Sequence, residues 1–123
     1  MTTAYWMILV AGCLPYWPTV VSKMRRDYSN AAPRAGVDRL SPQQQRAYWA
    51  QLNAFEAFPL FAATVIIAHL ARAPQTWVDG LAVAFVGFRI AYTLAYIYDK
   101  HLLRSLVWSG GLLCVIGLFV AGA

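Results

Sequence analysis

The sequence predicts an all-α integral membrane protein built as a bundle of four transmembrane helices. Three observations lead there. Of 123 residues, 60% are hydrophobic and only 12% are charged, too apolar a balance for a soluble domain of this length. The apolar residues fall into four blocks instead of alternating along the chain. Each block is long enough to cross hydrocarbon, which takes about 20 residues in a helix, and short polar segments separate them.

The expected spans are residues 4–23, 42–71, 76–98 and 102–122, in a single domain covering 1–123, with a basic loop over 24–41. The first span is interrupted near its inner end by Pro15 and Pro18, which remove backbone donors and should kink it there. Tyr5, Trp6, Tyr16 and Trp17 flank it as interfacial aromatics do. Met1-Thr2-Thr3 supplies no basic n-region, so the block reads as a span and not a cleaved signal. Asn30, Pro33 and Gly36 break the following loop. The second span opens on Ser41-Pro42-Gln43-Gln44, an N-cap serine, a proline at the first helical position and a capping-box glutamine. At about 1.5 Å per residue this helix outruns the bilayer, so its first turns project beyond it, and Pro59 should kink it. Arg72-Ala73-Pro74-Gln75 and Asp99-Lys100-His101 make the two remaining turns.

The formal charge is +5. The basic residues sit between apolar blocks, so they speak of orientation in a membrane and not of nucleic acid. Lys23, Arg25, Arg26, Arg34, Arg39, Arg46, Lys100 and Arg104 fall on one side, against Arg72 on the other. The positive-inside rule then puts the loop in the cytoplasm and both termini outside. Cys13 and Cys114 lie in apolar runs at no metal-binding spacing and are expected as small core residues. No metal site is expected.

Two ionisable residues fall deep within the spans. Glu56 lies fifteen residues from Ala71 and Arg89 thirteen from Thr76, or about 22 and 20 Å from the same outer turn. Charges in hydrocarbon need partners, so these two are expected to pair. Their faces agree. Arg46, Asn53 and Glu56 share one stripe of the second span, and Arg89, Tyr92, Tyr96 and Asp99 share one of the third. Gly87, Ala91 and Ala95 form a small-residue row, and Gly117 and Ala121 a similar pair, both suited to close helix contact. From physics alone the polar stripes are either an inter-helix clamp or a wet polar pocket.

The runs Arg46…Ala50-Gln51-Leu52-Asn53-Ala54-Phe55-Glu56…Pro59, Val86-Gly87-Phe88-Arg89-Ile90-Ala91-Tyr92-Thr93-Leu94-Ala95-Tyr96 and Arg104-Ser105 resemble the MAPEG superfamily, the membrane-associated proteins of eicosanoid and glutathione metabolism. The resemblance covers nearly the whole chain and is to a short, bacterial-type member. It implies a homotrimer in an inner membrane, with glutathione bound between subunits in the cytoplasmic half. Asn53, Glu56, Arg89, Tyr92 and Tyr96 would then bind glutathione, with Arg46 and Arg26 contributing. Glu56 would take the ligand's ammonium, and Arg89 would brace Glu56 or a peptide carboxylate. Arg104 would stabilise the thiolate, and Ser105 would be a thiol donor. Lys23, Arg25 and Arg26 lie where a ligand carboxylate would meet the first span. Gln51, Leu52 and Tyr92 stand where members of the family often carry histidine or arginine.

The implied activity is a glutathione-dependent transferase or peroxidase acting on lipophilic electrophiles that arrive from the lipid. Two other readings compete: a non-catalytic membrane assembly protein clamped through Glu56, and a small proton-coupled exporter using Glu56. His69 and His101, near helix ends, read as interfacial residues.

Overall fold

In the computed structural model, residues 1–24 and 28–123 are described. Arg25 and Arg26, expected near a ligand carboxylate, lie outside them. Among the described residues there are five α-helices: α1 (Thr3–Cys13), α2 (Tyr16–Lys23), α3 (Pro42–Leu70), α4 (Gln75–Ile97) and α5 (His101–Ala121). The first two form one span, so four helical segments are long and apolar enough to cross a membrane.

The break between α1 and α2 follows from proline chemistry. Pro15 has no N–H to return to Ala11, so the ladder, which still holds at the Leu14 amide (3.0 Å to Val10 O), lapses at Pro15. The Thr19 hydroxyl and amide both turn to the Pro15 carbonyl. In α3, Ser41 Oγ accepts the Gln44 amide at 3.3 Å and Gln44 Oε1 accepts the Ser41 amide at 3.3 Å, closing a reciprocal capping box. The Gln44 side chain also donates to the Met24 carbonyl, tying the end of α2 to the start of α3. α3 continues through Pro59 as one helix.

The two tight turns share one construction. After α3 the Ala73 amide reaches back to Ala68 O at 3.0 Å and Arg72 N to His69 O at 3.0 Å. After α4 the Lys100 amide reaches Ala95 O at 2.7 Å and Asp99 N reaches Tyr96 O at 3.2 Å. Both are Schellman closures. Their left-handed positions hold Arg72 (φ 56°) and Asp99 (φ 59°) where glycine is the usual choice.

α4 is the central helix. It packs against α1, α3 and α5, and 44% of its most apolar stretch is buried, against 22–28% for the other spans. The core runs between these four elements and includes Ala4, Phe61, Val65, Val78, Phe85, Cys114 and Leu118. Cys13, expected there too, is instead exposed, because it lies two residues, about 200° round the helix, from Ala11 on the buried face of α1. Of the small-residue row, Ala95 is buried within the subunit and Gly87 is not. Gly87 faces open space, whereas the close approach of α5 to α4 occurs at Gly110, where a Cβ would meet the Phe88 ring at 2.6 Å. Gly117 does meet α4, with Leu81 at 3.2 Å from such a Cβ.

At the end opposite the basic loop, His69 stacks on Tyr5 with ring centroids 3.8 Å apart. A carbonyl only accepts, so His69 Nδ1–H donates to Val65 O (2.7 Å) and Nε2 takes the Thr2 hydroxyl proton (2.8 Å). Asp79 on α4 accepts from the Ala4 amide at 2.9 Å, capping the start of α1. His69 is thus a packed joint, while His101 is exposed.

Candidate functional site

The polar stripes of α3 and α4 meet, but not through the expected ion pair. Arg89 is only 5% exposed, and its guanidinium donates to Asn53 Oδ1 at 2.6 Å. The guanidinium carbon lies 4.3 Å from the centre of the Tyr92 ring. Glu56, one turn beyond Asn53, forms no ion pair within 4.0 Å among the described residues and is exposed. The physical reason is facing. Arg89 is turned into the bundle, where the half-buried Asn53 meets it, while Glu56 lies further round α3 on the open side. Glu56 remains within electrostatic reach of Arg89.

From Arg89 an aromatic ladder runs towards the basic-loop end. Tyr92 and Tyr96 meet edge to face at 5.7 Å. Trp49 of α3 flanks Tyr96 at 6.4 Å. The Arg104 guanidinium, from the first turns of α5, sits 4.3 Å from the Tyr96 ring centre. Two guanidinium groups therefore bracket a tyrosine pair. Those positions follow from spacing: Arg89, Tyr92 and Tyr96 lie at i, i+3 and i+7 on one helix face. Arg104 makes no side-chain hydrogen bond or ion pair among the described residues, so its N–H fork is uncommitted. The start of α5 has no side-chain cap, leaving the positive end of its dipole beside that fork.

Two hollows open on either side of Asn53 and Glu56. One, of about 390 Å³, lies towards the basic loop and is lined by Trp49, Leu52, Asn53, Glu56, Tyr92 and Tyr96. The other, of about 240 Å³, lies deeper in the span. Asn53, Glu56 and Arg89 form its polar end, and Leu60, Phe85 and Trp108 are among its apolar walls. Glu56 is shared by both.

Two expected site residues are engaged elsewhere. Arg46 Nε donates to Ile97 O at 3.2 Å, bracing the last turn of α4. The Ser105 hydroxyl donates to His101 O at 3.2 Å within its own helix and lines neither hollow. Conversely, Trp49, Leu60, Phe85 and Trp108 were not singled out from the sequence. Their signal was present: Trp49 and Leu60 continue the Asn53–Glu56 stripe, Phe85 lies one turn before Arg89, and Trp108 one turn after Arg104. Apolar side chains on a polar stripe read as ordinary membrane residues until the neighbouring helix is placed.

A profile of the MAPEG family matches residues 3–123, essentially the whole chain. The chain belongs to the MAPEG family. That membership places it among integral, multi-pass membrane proteins of glutathione and eicosanoid metabolism, and it agrees with the four apolar helices. No curated protein matches the chain. Among the described residues no group of three or more His, Cys, Asp or Glu is placed to hold a metal ion.

Proposed function

We propose that this MAPEG protein is a glutathione-dependent transferase or peroxidase acting on lipophilic electrophiles. The observation that carries the reading is the pair of hollows sharing Glu56 and Asn53, one bordered by Tyr96, on whose ring Arg104 rests from outside the hollow's lining, and one leading into apolar walls. An exposed carboxylate without a partner is costly within a membrane span. A ligand ammonium or a second copy of the chain would relieve that cost, and a homotrimer with glutathione between subunits supplies both.

In this reading glutathione enters from the cytoplasmic side, drawn by the basic loop. Its ammonium meets Glu56, and its peptide groups lie along the tyrosine ladder. Its thiol approaches Arg104 and the uncapped start of α5. A free thiol is mostly protonated at neutral pH, and a neighbouring guanidinium favours the thiolate, which is the nucleophile. In transfer, the sulfur forms a bond to an electrophilic carbon and the leaving group departs with its electron pair. In peroxide reduction, the sulfur attacks the distal peroxide oxygen, the O–O bond breaks and the alcohol leaves. The resulting sulfenic acid then reacts with a second glutathione to give the disulfide and water. Arg89, held by Asn53 and Tyr92, positions the polar wall; Arg46 holds the end of α4 that carries Tyr96.

Calorimetry on the detergent-purified protein tests the reading. Glutathione binding is expected, weakened by Glu56→Gln and by Arg104→Gln. A wild-type protein that binds no glutathione at millimolar concentration refutes it. The exporter reading predicts instead proton-driven efflux from vesicles that Glu56→Gln abolishes. The assembly reading predicts an oligomer that collapses in Glu56→Gln with no response to thiols.

A further inference from the structure

The deeper hollow has a size and a wall chemistry of its own. It measures about 240 Å³. An apolar cavity of about 150 Å³ accommodates benzene, and drug-sized ligands occupy sites of about 300 Å³ or more. A space between these limits suits one ring or two fused rings. A long acyl chain would place only a segment inside.

Two of its walls, Phe85 and Trp108, are flat rings, and aliphatic side chains such as Leu60 and Leu112 complete the lining. Phe85 is 4% exposed and stacks on Phe61 with centroids 4.0 Å apart and planes 5° from parallel, so it has no room to swing aside. Arg89 is pinned by Asn53. Trp108, on α5, also lines the hollow; it is 45% exposed and has no ring partner among the described residues, which leaves an indole face free. Gly111, also in the lining, adds no side chain, and a Cβ there would rest 3.8 Å from the Phe85 ring.

We infer that this hollow takes a compact, flat aromatic compound of one or two fused rings as the electrophilic co-substrate, with Trp108 as the specificity-determining face. Calling it a co-substrate rests on the glutathione reading; the ring site itself does not. Offset stacking on an indole favours a planar ring over an alkyl chain of equal carbon number. A pre-formed wall reduces the ordering cost of binding. The shared Glu56–Asn53 rim would bring the bound ring beside the glutathione hollow.

The test uses the full chain in lipid nanodiscs, with radiolabelled naphthalene as probe and empty discs to subtract partition into lipid. Saturable naphthalene binding is expected, and unlabelled decane should compete roughly two- to tenfold less well than naphthalene. Trp108→Leu should weaken naphthalene binding roughly tenfold, while Trp108→Phe, which keeps a ring, stays within roughly threefold of wild type. Circular dichroism on both variants checks that the helices form. Equal competition by decane overturns the inference, as does wild-type binding by Trp108→Leu or an absence of saturable binding. Glutathione calorimetry on the same preparation separates the two ideas. Saturable naphthalene binding without glutathione binding refutes the transferase reading and keeps the ring site. Glutathione binding without naphthalene saturation does the reverse.

Discussion

Asn53 and Glu56 lie three residues apart on one stripe of α3, yet the structure gives them opposite jobs, and a paired substitution separates them. Asn53→Ala removes the acceptor for a guanidinium that is 5% exposed and whose bond to Asn53 measures 2.6 Å. Hydrogen bonds to charged groups contribute about 1.5–3 kcal/mol. Hydrogen bonds between helices within membranes average about 0.6 kcal/mol and reach about 1.7. The ranges meet near 1.5 kcal/mol, which is roughly a tenfold change in the folding equilibrium. The Tyr92 face remains 4.3 Å from the guanidinium and retains its own cation–π attraction, so the loss should not greatly exceed that figure. Asn53→Asp keeps an acceptor and adds an opposite charge, so it should be at least as stable as wild type. Glu56→Gln removes a charge that is exposed and has no ion-pair partner among the described residues. It should leave stability unchanged or raise it, since an unpartnered carboxylate in the span is itself costly, while weakening glutathione binding. Equilibrium unfolding in mixed micelles reads the first effect and calorimetry the second. If Glu56→Gln destabilises as much as Asn53→Ala, Arg89 depends on Glu56 and the assignment of roles is wrong.

Further outcomes follow from the packing. Gly110→Ala would push a Cβ against the Phe88 ring, at 2.6 Å before relaxation, and should cost about 1–3 kcal/mol by displacing that ring from its packed position. Gly87→Ala meets nothing within 4 Å and should be neutral or gain up to about 1 kcal/mol from helix propensity; both are read by the same micelle unfolding. Asp99→Gly relieves a left-handed residue (φ 59°) and should raise stability by up to about 1 kcal/mol; a lower unfolding midpoint would show that the Asp99 side chain holds the turn. Arg46→Ala removes the brace on Ile97 O and should cost about 1.5 kcal/mol, the low end for a charged donor. Arg46→Ala should also weaken glutathione binding less than Arg104→Gln does, because Arg46 acts through α4.

The sequence by itself determined the four membrane helices, since hydrocarbon accepts only segments that satisfy their backbone internally. Length and apolarity are therefore enough to recognise a span. It also determined the start of α3, because a capping box is satisfied within four consecutive residues. Helical spacing was enough to put Asn53 and Glu56 on one stripe and Arg89, Tyr92 and Tyr96 on another. Depth along each helix was legible in the same way.

Which member of each stripe meets which was decided only by the tertiary structure. Depth places Arg89 level with Glu56, but the rotation of α3 against α4 gives the guanidinium to Asn53 and leaves Glu56 on the open side. Rotation about a helix axis is set by side-chain packing across the interface, here the Phe61–Phe85 stack, and no spacing rule within one helix contains it. The same limit hid Trp108 and Phe85 among ordinary apolar residues. It also made Arg46 look like part of the site when its nearest need was the carbonyl at the end of α4. A membrane span declares itself through local composition, whereas a site between spans depends on angles that only the assembled bundle fixes.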